Sequence, residues 1–217
     1  MSDASVSNAN YHPGMRVYQD RYDTRRLADR LDERLGRVFF TEQDRAFIES
    51  RTMFFLASAD DLGRPDCSYK GGVPGFVRVT GPGEIEFPSY DGNGQFRSLG
   101  NIAANPAVGL LFIDFESPRR LRVNGDAVVL DDAESLARHH GAQLVVRVTA
   151  RRIFPNCPRY IHSASRAELS PDAPRPGHQQ PVAAWKSMAI LADVLPGVPM
   201  KDAKKDAKKN DDDSATR

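Results

Sequence analysis

The sequence predicts a mainly β protein, a small antiparallel barrel with helices at its flanks. Three observations carry this. Six or seven short apolar or alternating segments follow one another between residues 53 and 154, separated by glycine, proline and Asx punctuation. The helical patterns between them are brief, unlike the crossovers that parallel strands require. Apolar residues make up 40% of the 217, enough for a core in one ordinary domain with appendages.

Each element follows from its residues. Residues 1–15 are polar and small, the composition of a flexible terminus. In YQDRYDTRRLADRLDERLG (18–36), Leu27, Leu31 and Leu35 recur at every fourth position among charges, so an amphipathic helix ending at Gly36 is expected. Thr41 with Asp44 forms a capping-box pattern that opens a second helix. MFFLASAD (53–60), CSYKGG (67–72), GFVRVTG (75–81) and EIEFPS (84–89) read as successive strands. AVGLLFIDF (107–115) is continuously apolar, as a strand covered on both faces would be. RLRVNGDAVVL (120–130) alternates, with Asn124-Gly125 marking a bend or bulge. ESLARHHG (134–141) reads as a short helix, and QLVVRVTARRIF (143–154) as a long last strand. The barrel with its N-terminal helices is assigned to 16–162. A polar, proline-rich extended arm is assigned to 163–195, and a disordered charged tail to 196–217.

Composition narrows the function. Thirty basic residues stand against 29 acidic ones, a net charge of +1, so any anion site is local and a nucleic-acid grip is disfavoured. No run of about 18 apolar residues is present and the first residues lack a signal-peptide core, so no membrane association and a cytoplasmic address are expected. Cys67 and Cys157 suit free thiols in a reducing compartment. The five histidines show no metal-binding spacing, so no metal is expected. His139 and His140 precede Gly141 at an expected helix end, where a cation is favoured.

Two segments carry candidate chemistry. In SYDGNGQFRSLGNI (89–102), Asp91-Gly92-Asn93-Gly94 can take positive φ angles. Phe96, Leu99, Ile102 and Ala103 then fall at helical spacing, so a helix begins near Gln95. Its first-turn N–H groups lack partners, and Arg97 and Ser98 lie beside them, which suits a terminal phosphate. A surface turn with an ion-paired arginine is the plain alternative. In SYKGGVPGFVRV (68–79), Lys70 could supply a second cation, and Gly75 within a strand suits close approach of a ligand.

These segments, with GLLFIDF (109–115) and RLRVNGDA (120–127), resemble the flavin-binding split-barrel superfamily and, within it, the pyridoxamine 5′-phosphate oxidase-like proteins. A bacterial subgroup of these shares DTRRLADRL (23–31), FPSYDGNG (87–94), LRVNG (121–125) and FPNCPRYIH (154–162). The resemblance spans about residues 16–190. It implies a six-stranded antiparallel split β-barrel that forms a homodimer with FMN in two interfacial clefts. Arg97 and Ser98 would hold the FMN phosphate, with Asn93 and Gly94 shaping the turn and Lys70 adding charge. Phe76, Val77, Pro88 and Ser89 would line the isoalloxazine. Arg120 and Arg122 would face the flavin, and Asn156, Arg159, Tyr160 and Trp185 would close the cleft from the other subunit. The implied activity is FMN-dependent oxidoreduction of a small organic substrate, with NAD(P)H or oxygen as second partner. A non-catalytic flavin carrier or sensor, and the same barrel holding a deazaflavin or a haem on His162, are the alternatives. The family's vitamin oxidases carry an Arg-x-Val-Leu-Leu-Lys strand and an Arg-Leu-x-Pro C-terminal pattern. Both are missing here, which argues against pyridoxamine phosphate as substrate. No catalytic acid, base or nucleophile is identified.

Overall fold

Alternation sets the sheet. β1 (Met53–Ala59), β2 (Pro65–Gly71), β3 (Arg78–Gly81), β4 (Glu84–Ser89), β5 (Ala107–Asp114), β6 (Arg119–Leu130) and β7 (Leu144–Asn156) occupy the segments expected as strands. They form one antiparallel sheet ordered β2-β1-β5-β6-β7-β4-β3. The protein is described from a computed structural model that covers residues 10–92, 94–163, 179, 181–182 and 184–195.

The sheet corrects the expected six-stranded barrel. It has seven strands, and among the described residues no ladder joins its edges, β2 and β3. The segment between them explains this. Gly75 sits at φ 85° and donates its N–H to the Glu49 carbonyl, so residues 72–77 turn away and β3 begins only at Arg78. Gly75 is therefore needed for a left-handed turn rather than for a ligand lying against a strand; a Cβ there would meet nothing within 4 Å.

One face of the sheet holds the core. Phe54 and Leu56 of β1, Leu110 and Phe112 of β5, Leu121 and Val123 of β6, Ile85 and Phe87 of β4 and Ile153 of β7 are all buried. The Phe54 ring lies 5.0 Å from Phe87, 5.1 Å from Phe112 and 6.0 Å from Phe76, at tilted, edge or stacked geometry. β5 is not covered on both faces, as its apolar run suggested: Val108, Leu110 and Phe112 are buried, while Leu111 and Ile113 on the other face are only half-buried.

The helices follow with one correction. The run expected as one helix over 18–36 is two, α1 (Pro13–Arg21) and α2 (Arg25–Leu35). Asp23 at φ 50° closes α1, its N–H donating to Asp20 while Thr24 donates to Gln19, a Schellman ending that the leucine spacing does not reveal. Residues 10–34, with 182 and 184–195, form one compact unit, in which Leu27 of α2 packs with Leu191 and Val194. The sheet belongs to the second unit, residues 35–181.

α3 (Glu42–Glu49) opens with the expected capping box on Thr41 and Asp44. The buried Asp44 also accepts from Arg37 at 2.6 and 2.7 Å. Burial pushes its pKa up, but Arg37 and the Thr41 donors outweigh that and hold it below the usual range.

The short helix α5 (Ala133–Ala137) starts on an Asp132 cap. Past its end, His139 is buried, which corrects the reading of it as a cation at a helix terminus. It lies 3.5 Å from Glu86, a fully buried carboxylate that accepts from Arg138 at 3.0 Å and from Arg147 at 2.8 Å. Burial holds the imidazole below its ordinary pKa of 6.5 against the pull of Glu86; Arg78 and Arg138 act with burial.

Asn124-Gly125 is the expected irregularity. Asn124 pairs with Arg152 and Gly125 with Ala150, leaving Arg151 as the extra residue of a bulge. A Cβ on Gly125 would stand 2.3 Å from the Thr149 carbonyl oxygen. Gly125→Ala is thus expected to cost more than about 2 kcal/mol in urea unfolding, while Gly92→Ala, with open space around it, changes little. Because the unfolded chain binds the His139 proton more readily, stability falls as pH drops through about 6.5. His139→Gln should flatten that decline when unfolding midpoints are compared between about pH 7 and 5.

Candidate functional site

The pleat of β2 starts the site. Asp66, Ser68 and Lys70 project from one face of this edge strand, and Cys67 and Tyr69 from the other. Opposite them, the chain leaves β4 at Ser89, turns through Gly94 at φ 71° and enters α4 (Arg97–Ala104) from Phe96 at φ 48°. Gly92 keeps a negative φ, so the expected left-handed turn rests on Gly94 and, unexpectedly, on Phe96 among the described residues. Phe96, at the N-cap of α4, makes no side-chain cap hydrogen bond, and the first turn carries the positive end of the helix dipole.

Packing decides how α4 sits. Ile102 is buried in the core and Leu99 packs against it. Ser98, one turn before Ile102, therefore faces inward and is itself buried. Its Oγ lies 3.0 Å from Ser68 Oγ and accepts a hydrogen bond from Lys70 Nζ at 3.3 Å. Arg97, one residue earlier, stays 68% exposed; its Nη2 lies 3.5 Å from Asp66 Oδ1.

These groups border a cleft of about 430 Å³. Ser89, Tyr90 and Asp91 form a further wall, with Gln143 as a lip: its amide donates to Asp91 at 3.2 Å and its backbone N–H to the Ser89 carbonyl at 2.9 Å.

Lys70 is the unusual member. It is half-buried, and among the described residues no carboxylate comes within 4.0 Å of its ammonium. Burial pushes its pKa down, opposed by the charge of Asp66. A half-buried cation that donates to one hydroxyl near the positive end of a helix, with Asp66 as its opposing charge, is only partly balanced by its surroundings. An anion in the cleft would balance it, and Lys70, Arg97, Ser98 and the α4 N–H groups are a donor set for one.

The cleft gathers Lys70, Ser89, Gly94, Arg97 and Ser98 from the residues expected at a site. Phe76 and Val77 are instead buried in the core, and Pro88 is buried on β4 opposite Val145. Arg120 and Arg122 stand on β6, Arg120 opposite Asn156 and Arg122 with its guanidinium 5.9 Å from the Phe154 ring centre. Arg159 lies over the Tyr160 ring at 5.1 Å, and His162 beyond it is exposed; none of the three lines the cleft. Asn93 and the side chain of Trp185 lie outside the described residues.

Sequence reasoning missed Asp66, Ser68 and Gln143. Counting back from Lys70 by twos along the strand finds Ser68 and Asp66. No local signal finds Gln143, which arrives through the pairing of β7 with β4.

The sheet is antiparallel, and the cleft lies between its edge strand β2 and the start of α4. The chain belongs to the pyridoxamine 5′-phosphate oxidase family, whose profile matches residues 40–172, more than half of its length. No curated protein matches it. Solved structures similar to part of it include HupZ of Group A Streptococcus, at 19% identity over 54% of this chain and 94% of that one, TM-score 0.43. A Lactobacillus delbrueckii protein classed with the pyridoxamine 5′-phosphate oxidases shares 23% over 54% and 95%, TM-score 0.45. HutZ, the haem storage protein from Vibrio cholerae, shares 17% over 52% and 91%, TM-score 0.38.

The lysine carries a prediction. Lys70→Met should raise the melting temperature of the ligand-free protein by roughly 2–4 °C, since a poorly balanced cation is removed, and should abolish the rise that added inorganic phosphate causes in the parent. Calorimetric melts with and without phosphate measure both; a fall in the ligand-free midpoint would make Lys70 a structural residue.

Proposed function

We propose that this chain binds FMN and acts as a flavin-dependent oxidoreductase on a small organic substrate, working as a homodimer. The observation that carries the reading is the juxtaposition of half-buried Lys70, buried Ser98 and Arg97 at the uncapped start of α4. Three sources of positive potential meet in one cleft on a chain of nearly neutral net charge. That focus suits a phosphate monoester more than an extended polyanion.

The residues divide the work by distance from the anion. Lys70, Ser98 and the first-turn N–H groups would hold the phosphate, and Arg97 would close on it from the exposed side. Ser89, Tyr90 and the Asp91–Gln143 lip would border the remainder of the ligand. When bound, FMN supplies the electron-transfer chemistry, exchanging a hydride with the substrate and with NAD(P)H or oxygen as second partner. The chain's part is to bind, orient and limit access of water.

A second copy of the chain accounts for the outer face of the sheet. Phe55, Leu111 and Ile113 are only half-buried there, Tyr69 is 62% exposed, and Arg120 Nε and Asn156 Oδ1 are buried without a hydrogen-bond partner among the described residues. An apolar face with orphaned polar atoms is an interface pattern. Arg120, Arg122, Asn156, Arg159 and Tyr160, remote from the cleft of their own chain, are proposed to reach the cleft of the other.

Purified full-length protein should be yellow, with flavin absorption bands, and should elute as a dimer. Arg97→Ala should weaken FMN binding by roughly 10- to 100-fold, the worth of one charge-assisted hydrogen-bond pair. A colourless protein that takes up no added FMN removes the reading. A Soret band selects haem, a deazaflavin spectrum selects that cofactor, and tight FMN with no turnover by any reductant selects a carrier.

A further inference from the structure

The cleft holds a negative charge that a phosphate site does not require. Asp66 stands on the same face of β2 as Ser68 and Lys70, two and four residues before them. It is the carboxylate nearest the cations. The other acid of the cleft, Asp91, accepts from Gln143 at the lip. Asp66 Oδ1 lies 3.5 Å from Arg97 Nη2, a loose contact beside the well-formed pairs of this protein, where Arg138 meets Glu86 at 3.0 Å and Arg51 meets Asp114 at 2.7 Å. The partners differ in freedom. Asp66 is rooted in a strand with its side chain 21% exposed, whereas Arg97 is 68% exposed on the first turn of a helix.

We propose that Asp66 is an internal counter-anion, which holds Arg97 in the ligand-free cleft and gives it up when a phosphate enters. This rests on the reading of the cleft as a phosphate site and adds to it a residue that sets affinity and selectivity. The incoming group must win Arg97 from a carboxylate and sit in its field. A doubly charged phosphate monoester gains enough from Lys70, Arg97 and the α4 N–H groups to do so. A neutral chain or a weak single anion does not, because it brings less charge to the same cations and meets the same carboxylate. Asp66 therefore lowers affinity for every anion and sharpens discrimination by charge. It also keeps the cations partly neutralised while the cleft is free, which limits adventitious anion uptake.

The competition is pairwise, so a double-mutant cycle reads it. FMN affinity is measured by fluorescence titration for the parent, Asp66→Asn, Arg97→Gln and the double variant, with riboflavin as the ligand lacking phosphate. Asp66→Asn keeps the shape and removes the charge. It is expected to tighten FMN binding by roughly three- to tenfold and to leave riboflavin unchanged. In the Arg97→Gln background the gain should shrink to less than about twofold, since the contested cation is gone. Weaker FMN binding in Asp66→Asn, or the same gain in both backgrounds, overturns the proposal. If Asp66→Asn melts well below the parent, Asp66→Ser takes its place in the cycle. Should FMN bind none of the four proteins, the flavin reading fails on its own, and titration calorimetry with inorganic phosphate on the same four proteins decides the counter-anion claim by the same criteria.

Discussion

The site depends on one constraint: α4 must bury Ile102 in the sheet's core while its first turn stays uncapped. Those demands fix each other. Ile102 and Leu99 set the helix rotation, and Ser98, a turn earlier on the same face, is carried inward against β2. The hydroxyl pair Ser98–Ser68 and the Lys70 donor then tie the helix start to the edge strand. Because Phe96 at the N-cap makes no side-chain cap hydrogen bond, the first turn of the helix can offer N–H groups where the cations converge. A helix rotated by one residue would bury Arg97 and expose Ser98, and the cleft would lose its order.

Charge is buried elsewhere for a different purpose. Glu86 and Asp44 are closed in with their arginines, and every strong acceptor position is satisfied by a short contact. These pairs hold α5 and α3 to the sheet. The Glu86 cluster also anchors the turn after α5, through which the chain reaches Gln143 and the lip of the cleft. Lys70 stands apart from this pattern: it is half-buried and donates to the Ser98 hydroxyl, with no carboxylate among the described residues in contact. The contrast within one molecule sets these structural charges apart from Lys70, the cation proposed to serve a ligand.

Much was legible in local pattern. Apolar or alternating segments bounded by Gly and Pro marked the strand segments, Thr41 and Asp44 marked the capping box, and Asn124-Gly125 marked the bulge, since each depends on neighbours a few residues apart. Lys70, Ser89, Gly94, Arg97 and Ser98 were legible as a turn, a helix start and a nearby cation. Phe76 and Val77 read from sequence equally as ligand wall or as core, because an apolar pair beside a glycine suits both, and the fold buries them in the core. His139 was misread because its burial comes from Glu86 on β4, more than fifty positions away in sequence.

The sequence by itself determined the strand segments, their order, the near-neutral charge and the residue types able to hold a phosphate, all set by composition and short-range spacing. Only the tertiary structure decided that the strands join in one sheet whose edges, β2 and β3, no ladder joins among the described residues, and that Phe76 and Val77 pack inward. It alone brought Arg97 to Asp66 and Gln143 to Asp91 at the lip of the cleft. The physical reason is common to all of these: they depend on which strands pair and which way one short helix faces, and those are settled by burying the whole core at once.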